Sequence, residues 1–259
     1  MNLIVLNSLL SLGLAVGMLI MMAIGRWNGA RRIASDPEQY AAGTAAIEGS
    51  IYALLGLVLA FSFNGAGQRF FERRTLVGHE INVIGTAYLR IDALPVDAQP
   101  EIRGLFRRYL DLRIAAIRAL PDARRSIQHF DEASRALQEI WDLAIAATDG
   151  GTRQPATMLV LPALNEMIDM QTTARVVMLQ HPHPIIFVVL AAFMLLAALL
   201  AGQAMARMRS PSLLHAGGLV VLLAGMFFII QDMEYPQHGL IRIDGVQRLV
   251  EDLRHSIGE

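Results

Sequence analysis

Four charged residues bracket one long uncharged run: Glu48 stands just before it, and Arg69, Glu72 and Arg73 follow it within two helical turns. Carboxylates and guanidinium groups at the mouths of an apolar stretch could do chemistry that breaks no bond. They could attract, concentrate and select small ions. Drawn at about 100° per residue, Glu48, Tyr52, Leu55, Leu59, Ser62 and Arg69 fall on one side of a helix, polar at its ends and apolar in its middle. Such a stripe suits a pore with a hydrophobic constriction that gates by dewetting. Phe61 and Asn64, on a neighbouring face, are the other candidates for its narrowest part. A further stripe of Gly49, Ala53, Gly56, Ala60 and Gly67 offers close approach to another helix. The plainer alternative stays open: Leu55 and Leu59 face lipid, Glu48 sits at the headgroup boundary near a helix N-terminus, and the arginines snorkel.

Other chemistry has little support. His181 and His183 are two apart around prolines, His79 and His129 lack a ligand partner at helical spacing, and no HExxH is present. No GxSxG, Walker or GxGxxG pattern occurs, so we expect no catalytic residues, no cofactor and no resident metal. The chain has no cysteine, which excludes disulfides and thiolate metal sites. Its net charge of −1 gives no reason to expect a nucleic-acid partner. All basic residues are arginine, a choice that keeps charge permanent beside a bilayer or reflects a GC-rich genome.

The elements that must position these residues are helices in a membrane. At 259 residues, 54% hydrophobic and 17% charged, the chain is too apolar for an ordinary soluble domain. Uncharged stretches cover 1–25, 49–68, 176–206 and 210–231, each long enough for the roughly 20 residues that cross a bilayer. Four spans are therefore expected at about 3–25, 44–66, 184–205 and 211–231. The first lacks the basic start and small-residue cleavage site of a signal peptide and is expected to remain. The second runs without a break into a charged amphipathic stretch to residue 95, a rod that would couple a membrane domain to a water-exposed one.

The organisation expected is spans one and two in 1–66, an extramembrane insert in 67–183, spans three and four in 184–231, and a tail in 232–259. Over 69–183 the insert carries 14 arginines and 14 acids, the balance of a folded domain with mixed-sign helix faces. Apolar residues recur at three- and four-residue steps through 98–119 and 126–147, and 156–180 is apolar enough to pack on both, with a kink expected at Pro162. No alternating run suggests a strand. The fold class expected is thus an all-α membrane protein, four transmembrane helices with a helical insert between the second and third. Pro182 and Pro184 should set the start of the third span, and Ser210 and Pro211 should open the fourth. Gly13 and Gly17 in the first span, with Ala198 and Gly202 in the third, read as packing faces. Sidedness is balanced: Arg26, Arg31, Arg32, Arg207 and Arg209 mark the short loops, and Arg69, Arg73, Arg74, Arg175, Arg242 and Arg248 flank the membrane on the insert's side.

Several blocks resemble the bacterial bestrophin-like domain family. They are Gly56-Leu57-Val58-Leu59-Ala60-Phe61-Ser62-Phe63, Arg69-Phe70, Arg73-Arg74, Glu80 through Arg90 and Leu94-Pro95. Further on, Tyr109, Trp141, Leu164 through Asp169, Gln231-Asp232, Pro236 and Gly239 through Arg242 continue the likeness. The resemblance implies a relative of bestrophins: pentameric ion channels with four spans, a helical insert and a pore lined by the second span. It also implies termini and insert in the cytoplasm, against the arginines of the short loops. Calcium-responsive bestrophins carry a dense acidic cluster after the last span. Here only Asp232, Glu234 and Asp244 stand there, too few for the six to eight oxygens calcium takes.

The function expected is an oligomeric channel of the bacterial inner membrane passing small inorganic ions, anions slightly favoured, with the lipid bilayer and further copies of itself as partners. Leu55, Leu59, Phe61, Ser62 and Asn64 are the pore candidates. Glu48, Arg69, Glu72 and Arg73 are the vestibule charges, with Glu80 and Arg90 extending them. The alternative is a non-conducting scaffold or sensor whose insert binds a partner protein.

Overall fold

A computed structural model describes residues 3–35, 44–119, 122–148, 154–180, 182–208, 212–235, 239–241 and 244–257. Among them the regular structure is entirely helical. In chain order it comprises α1 (Leu3–Ser35), α2 (Thr44–Arg90), a 3-10 turn (Ile91–Ala93), α3 (Gln99–Ala119), α4 (Ala123–Thr148), α5 (Gln154–Leu179), α6 (Ile185–Met205), α7 (Leu213–Glu234) and α8 (Asp244–Ser256). Four of these, α1, α2, α6 and α7, are long and apolar enough to cross a membrane. The chain is an all-α membrane protein with a helical insert between its second and third spans.

The first two span helices, α1 and α2, overrun the lengths expected from their apolar runs. The 33 residues of α1 extend about 50 Å at 1.5 Å per residue. The 47 of α2 extend about 70 Å, more than twice the hydrocarbon thickness. No proline or turn interrupts α2, so the rod expected from the sequence is one continuous helix.

By its internal contacts the chain divides into two units. The first comprises residues 1–70 and 181–241; the second comprises 71–180 and 242–259. In the first unit α1 and α6 approach so closely that only glycine fits at two points. A Cβ on Gly25 would overlap the Leu199 carbonyl oxygen, and one on Gly202 would overlap that of Met22. Gly202 and Ala198 thus pack as expected. Gly17 meets only the Leu195 side chain and Gly13 has open space around it, so the close approach lies one and two turns further along α1 than that pair. Phe187 of α6 stacks edge-on against Phe227 of α7, ring centroids 6.2 Å apart. The cap of α7 is Ser212, whose hydroxyl accepts from the His215 amide; Ser210, Pro211 and His181 lie outside the described residues.

The second unit has a conventional apolar core. Its α3 buries Ile102, Phe106, Tyr109, Leu110 and Ala116 along one stripe, set by the three- and four-residue spacing. Leu137 and Ile140 of α4, Val160, Leu164 and Met167 of α5, and Ile84, Ala87 and Ile91 complete it. Asp122 caps α4 through the Arg125 amide at 3.2 Å. Pro162 lies inside α5, which continues through it. The C-terminal residues are not merely a tail: α8 places Val250 in this core, and Ile257, just after it, is buried there too.

Candidate functional site

Residues of α2 carry the site expected from the sequence, and the structure sorts them by exposure. Within the first unit α2 is the least covered span. Only 6% of its most apolar stretch is buried, against 22–28% for the other three. An apolar helix left bare by its own subunit must meet lipid, another copy or a pore.

Leu55 and Leu59 are buried, at 4% and 9% exposure. They close the side of α2 nearest the rest of the unit, where the Tyr52 hydroxyl donates to the Ala197 carbonyl at 3.1 Å. Ser62 is half-buried beside them. Phe61, by contrast, is 67% exposed and Asn64 is also exposed. The pore candidates therefore do not gather on one face. Leu57, 51% exposed and one turn before Phe61, joins the second group. Leu57, Phe61, Asn64 and Gln68, all exposed, run along α2 at steps of four, three and four residues. Phe61 and Asn64 of this ladder are sequence candidates; Leu57 and Gln68 share their spacing and extend it.

The glycine stripe is open as well. Gly49 and Gly56 have no neighbour where a Cβ would stand, and Ala53 and Ala60 are exposed. Only Gly67 lies against another helix, near the Met233 side chain. So the close approach that these residues permit is not used inside the subunit.

The charges separate too. Glu48 is half-buried in the opening turns of α2, and Glu72 is exposed. Arg69 is tied to Glu234 at the end of α7: its Nε donates to Oε1 at 2.9 Å and its Nη2 donates to the same oxygen. Glu234 is almost fully buried, so this pair holds a carboxylate that would otherwise be costly there. Arg73 is buried in the second unit, where its Nη2 donates to the Gln180 carbonyl at 2.6 Å. The continuation of the charged run is structural also. Arg90 donates to the Leu159 carbonyl at 3.0 Å, and Glu80 is buried in an ion pair with Arg113.

That pair was not found in the sequence, because Arg113 sits on the apolar stripe of α3 as if it were a core residue. Its Nε donates to Glu80 Oε1 at 2.7 Å, and its guanidinium carbon lies 4.6 Å from the centroid of Phe130. Burial alone would lower the Arg113 pKa, but Glu80 and Tyr109 together more than reverse this and hold the guanidinium charged. Burial, reinforced by Glu80, pushes the Tyr109 phenol well above its usual range.

Beyond Arg69's partner, the end of α7 holds a second buried acid, Asp232. Its two oxygens accept from the backbone amides of Leu240 at 3.0 Å and Ile241 at 2.8 Å. A Cβ on Gly239 would lie 2.6 Å from this carboxylate, which accounts for glycine there. Both acids are thus engaged by donors. Among the described residues no group of three or more His, Asp or Glu converges to hold a metal ion.

The sequence matches the Bestrophin-like domain family over residues 12–246. No curated protein matches the chain. Its fold is similar to crystal structures of a bacterial bestrophin homologue from Klebsiella pneumoniae. One, a single-substitution variant, superposes with a TM-score of 0.70 at 15% identity, covering 99% of each chain. Another, phased on zinc, gives 0.65 at 14% identity over 92% of this chain and 98% of the other. At such identity the likeness extends to the fold alone.

Proposed function

The chain belongs to the Bestrophin-like domain family, and from that premise we propose that it is a homo-oligomeric ion channel of a bacterial inner membrane, its pore walled by the exposed ladder of α2. The observation that carries this reading is the bareness of α2: a span 6% buried, with Phe61 and Leu57 turned out of their own subunit. Copies arranged around an axis would cover the open Gly49, Gly56 stripe by close helix contact. They would also bring Leu57 and Phe61 together as apolar rings, with Asn64 and Gln68 as polar rings beyond. An apolar ring blocks ions by expelling water when narrow and conducts when it widens.

Leu55 and Leu59 would then be the packing behind the pore wall. Arg69 would act less as a free vestibule cation than as the anchor of α2 on Glu234, and Glu72 is left as the exposed charge near the mouth. Anions remain the favoured cargo on the balance of arginine at both membrane borders.

Purified protein in liposomes tests this. Flux of a small inorganic ion above that of empty vesicles is expected, with Phe61→Ala changing it by about tenfold and Leu59→Ala by much less. Absence of flux in every salt and at every voltage would leave the scaffold reading instead.

A further inference from the structure

At the end of the first unit where α1 and α6 finish, the structure gathers basic residues around a tryptophan. The two helices run in the same direction, Gly17 near Leu195, Gly25 near Leu199 and Gln203, and Gly202 near Met22, so their C-terminal ends emerge together. Arg26, Trp27, Arg31 and Arg32 of α1 are exposed there, as is Arg207 just past α6. The Arg31 guanidinium carbon lies 3.8 Å from the centroid of the Trp27 ring. No carboxylate among the described residues pairs with Arg26, Arg31 or Arg32. Glu48, one turn before Tyr52 on α2, is the described acid at this level.

Length places this cluster at the membrane surface. Of the about 50 Å of α1, some 30 Å suffices for hydrocarbon, which leaves the last dozen or so residues to cross the headgroup layer and emerge at its surface. Trp27 has the amphipathic ring that settles at that boundary, and a guanidinium over its face can still direct N–H groups outward from the ring. A guanidinium fork presented this way matches a phosphate diester in two hydrogen bonds. Only Arg32, in the last turn, is accounted for by the helix dipole.

We propose that this end of α1 is a binding surface for anionic phospholipid headgroups of the adjoining leaflet, with Arg26, Arg31 and Arg32 as phosphate ligands and Trp27 seated at the acyl boundary. The role is independent of conduction and of which leaflet is involved.

Trp27 supplies its own reporter, since the chain has two tryptophans and Trp141→Phe leaves it alone. The full-length protein is reconstituted in phosphatidylcholine with either phosphatidylglycerol or phosphatidylcholine carrying bromine on its acyl chains. Trp27 fluorescence then reports which lipid adjoins it. Basic residues at an anionic surface each contribute on the order of fivefold, so preferential quenching by the brominated anionic lipid, about fivefold or more, is expected. Arg26→Gln/Arg31→Gln/Arg32→Gln should bring the preference near unity, and Arg124→Gln/Arg135→Gln in the insert should leave it intact. On the unmutated arginines, salt at about 1 M, where the screening length is about 3 Å, should reduce the preference severalfold, whatever the folding of the triple variant. Equal quenching by both lipids, or a preference that survives the triple substitution, overturns the proposal. Abolition of the preference by inorganic phosphate at constant ionic strength would also overturn it, assigning the site to a free anion.

Discussion

The two halves of α2 obey different rules although they are one helix. Up to Phe70 the helix leaves Leu57 and Phe61 exposed and Gly49 and Gly56 open. From Phe71 onward it supplies a core, with Val83, Ile84 and Ala87 buried and Glu80 locked to Arg113. Hydropathy does not predict this. The more apolar half is the less buried within the subunit, because in lipid an apolar face need not be hidden by its own chain. The more polar half meets water and must bury what apolar surface it has.

The largest effect of a single substitution is expected in the second half. Arg113→Met leaves the Glu80 carboxylate buried without its partner, and such losses cost about 3–5 kcal/mol. Thermal unfolding of the purified protein should show it, and Glu80→Leu with Arg113→Met should recover most of the loss. Equal destabilisation by the single and double variants would mean that the pair is not the unit of stability.

A pH dependence sharpens the same contrast. The Tyr109 phenol has its folded pKa raised above its ordinary value of 10.0. The folded state therefore binds the extra proton above that pH, and stability that is fully present below about pH 10 declines as pH rises toward the folded pKa. Tyr109→Phe should flatten this alkaline decline in an unfolding titration. A decline of unchanged steepness would assign it to other groups.

In the first half the expected effect on the subunit is small. A Cβ on Gly56 has no neighbour within 4 Å, so with Gly56→Leu helicity and subunit stability should change by no more than about 0.5 kcal/mol. Assembly should change instead, seen as a shift to smaller particles in detergent sizing. An unshifted particle would place that stripe against lipid.

Much of this was legible in the residues. Four uncharged runs announced the spans because a bilayer imposes a length, and α3 and α4 followed from the spacing of residues such as Phe106, Leu110, Leu137 and Ile140. The site was legible only in part. Phe61 and Asn64 were read as one face and Leu55 and Leu59 as another, but periodicity gives angles between residues and no direction in space. It cannot say which face the remainder of the chain covers. The arginines are hard to tell apart for a related reason: Arg69, Arg73 and Arg113 look alike in sequence. One is tied to Glu234, one to the Gln180 carbonyl and one to Glu80, partners that are distant in the chain. The helix α8 was overlooked because it follows the last apolar run, with only Val250, Leu253 and Ile257 to signal a buried side.

In a pore walled by α2, the Leu57, Phe61, Asn64 ladder faces an aqueous path while Leu55 and Leu59 do not. The absence of native cysteine allows a direct measurement. Leu55→Cys, Leu57→Cys, Leu59→Cys, Phe61→Cys and Asn64→Cys, each reconstituted in liposomes, are exposed to a charged, water-soluble thiol reagent while ion flux is followed. Modification and altered flux are expected at 57, 61 and 64, with 55 and 59 protected. Reaction at 55 and 59 with 57, 61 and 64 silent would contradict that arrangement.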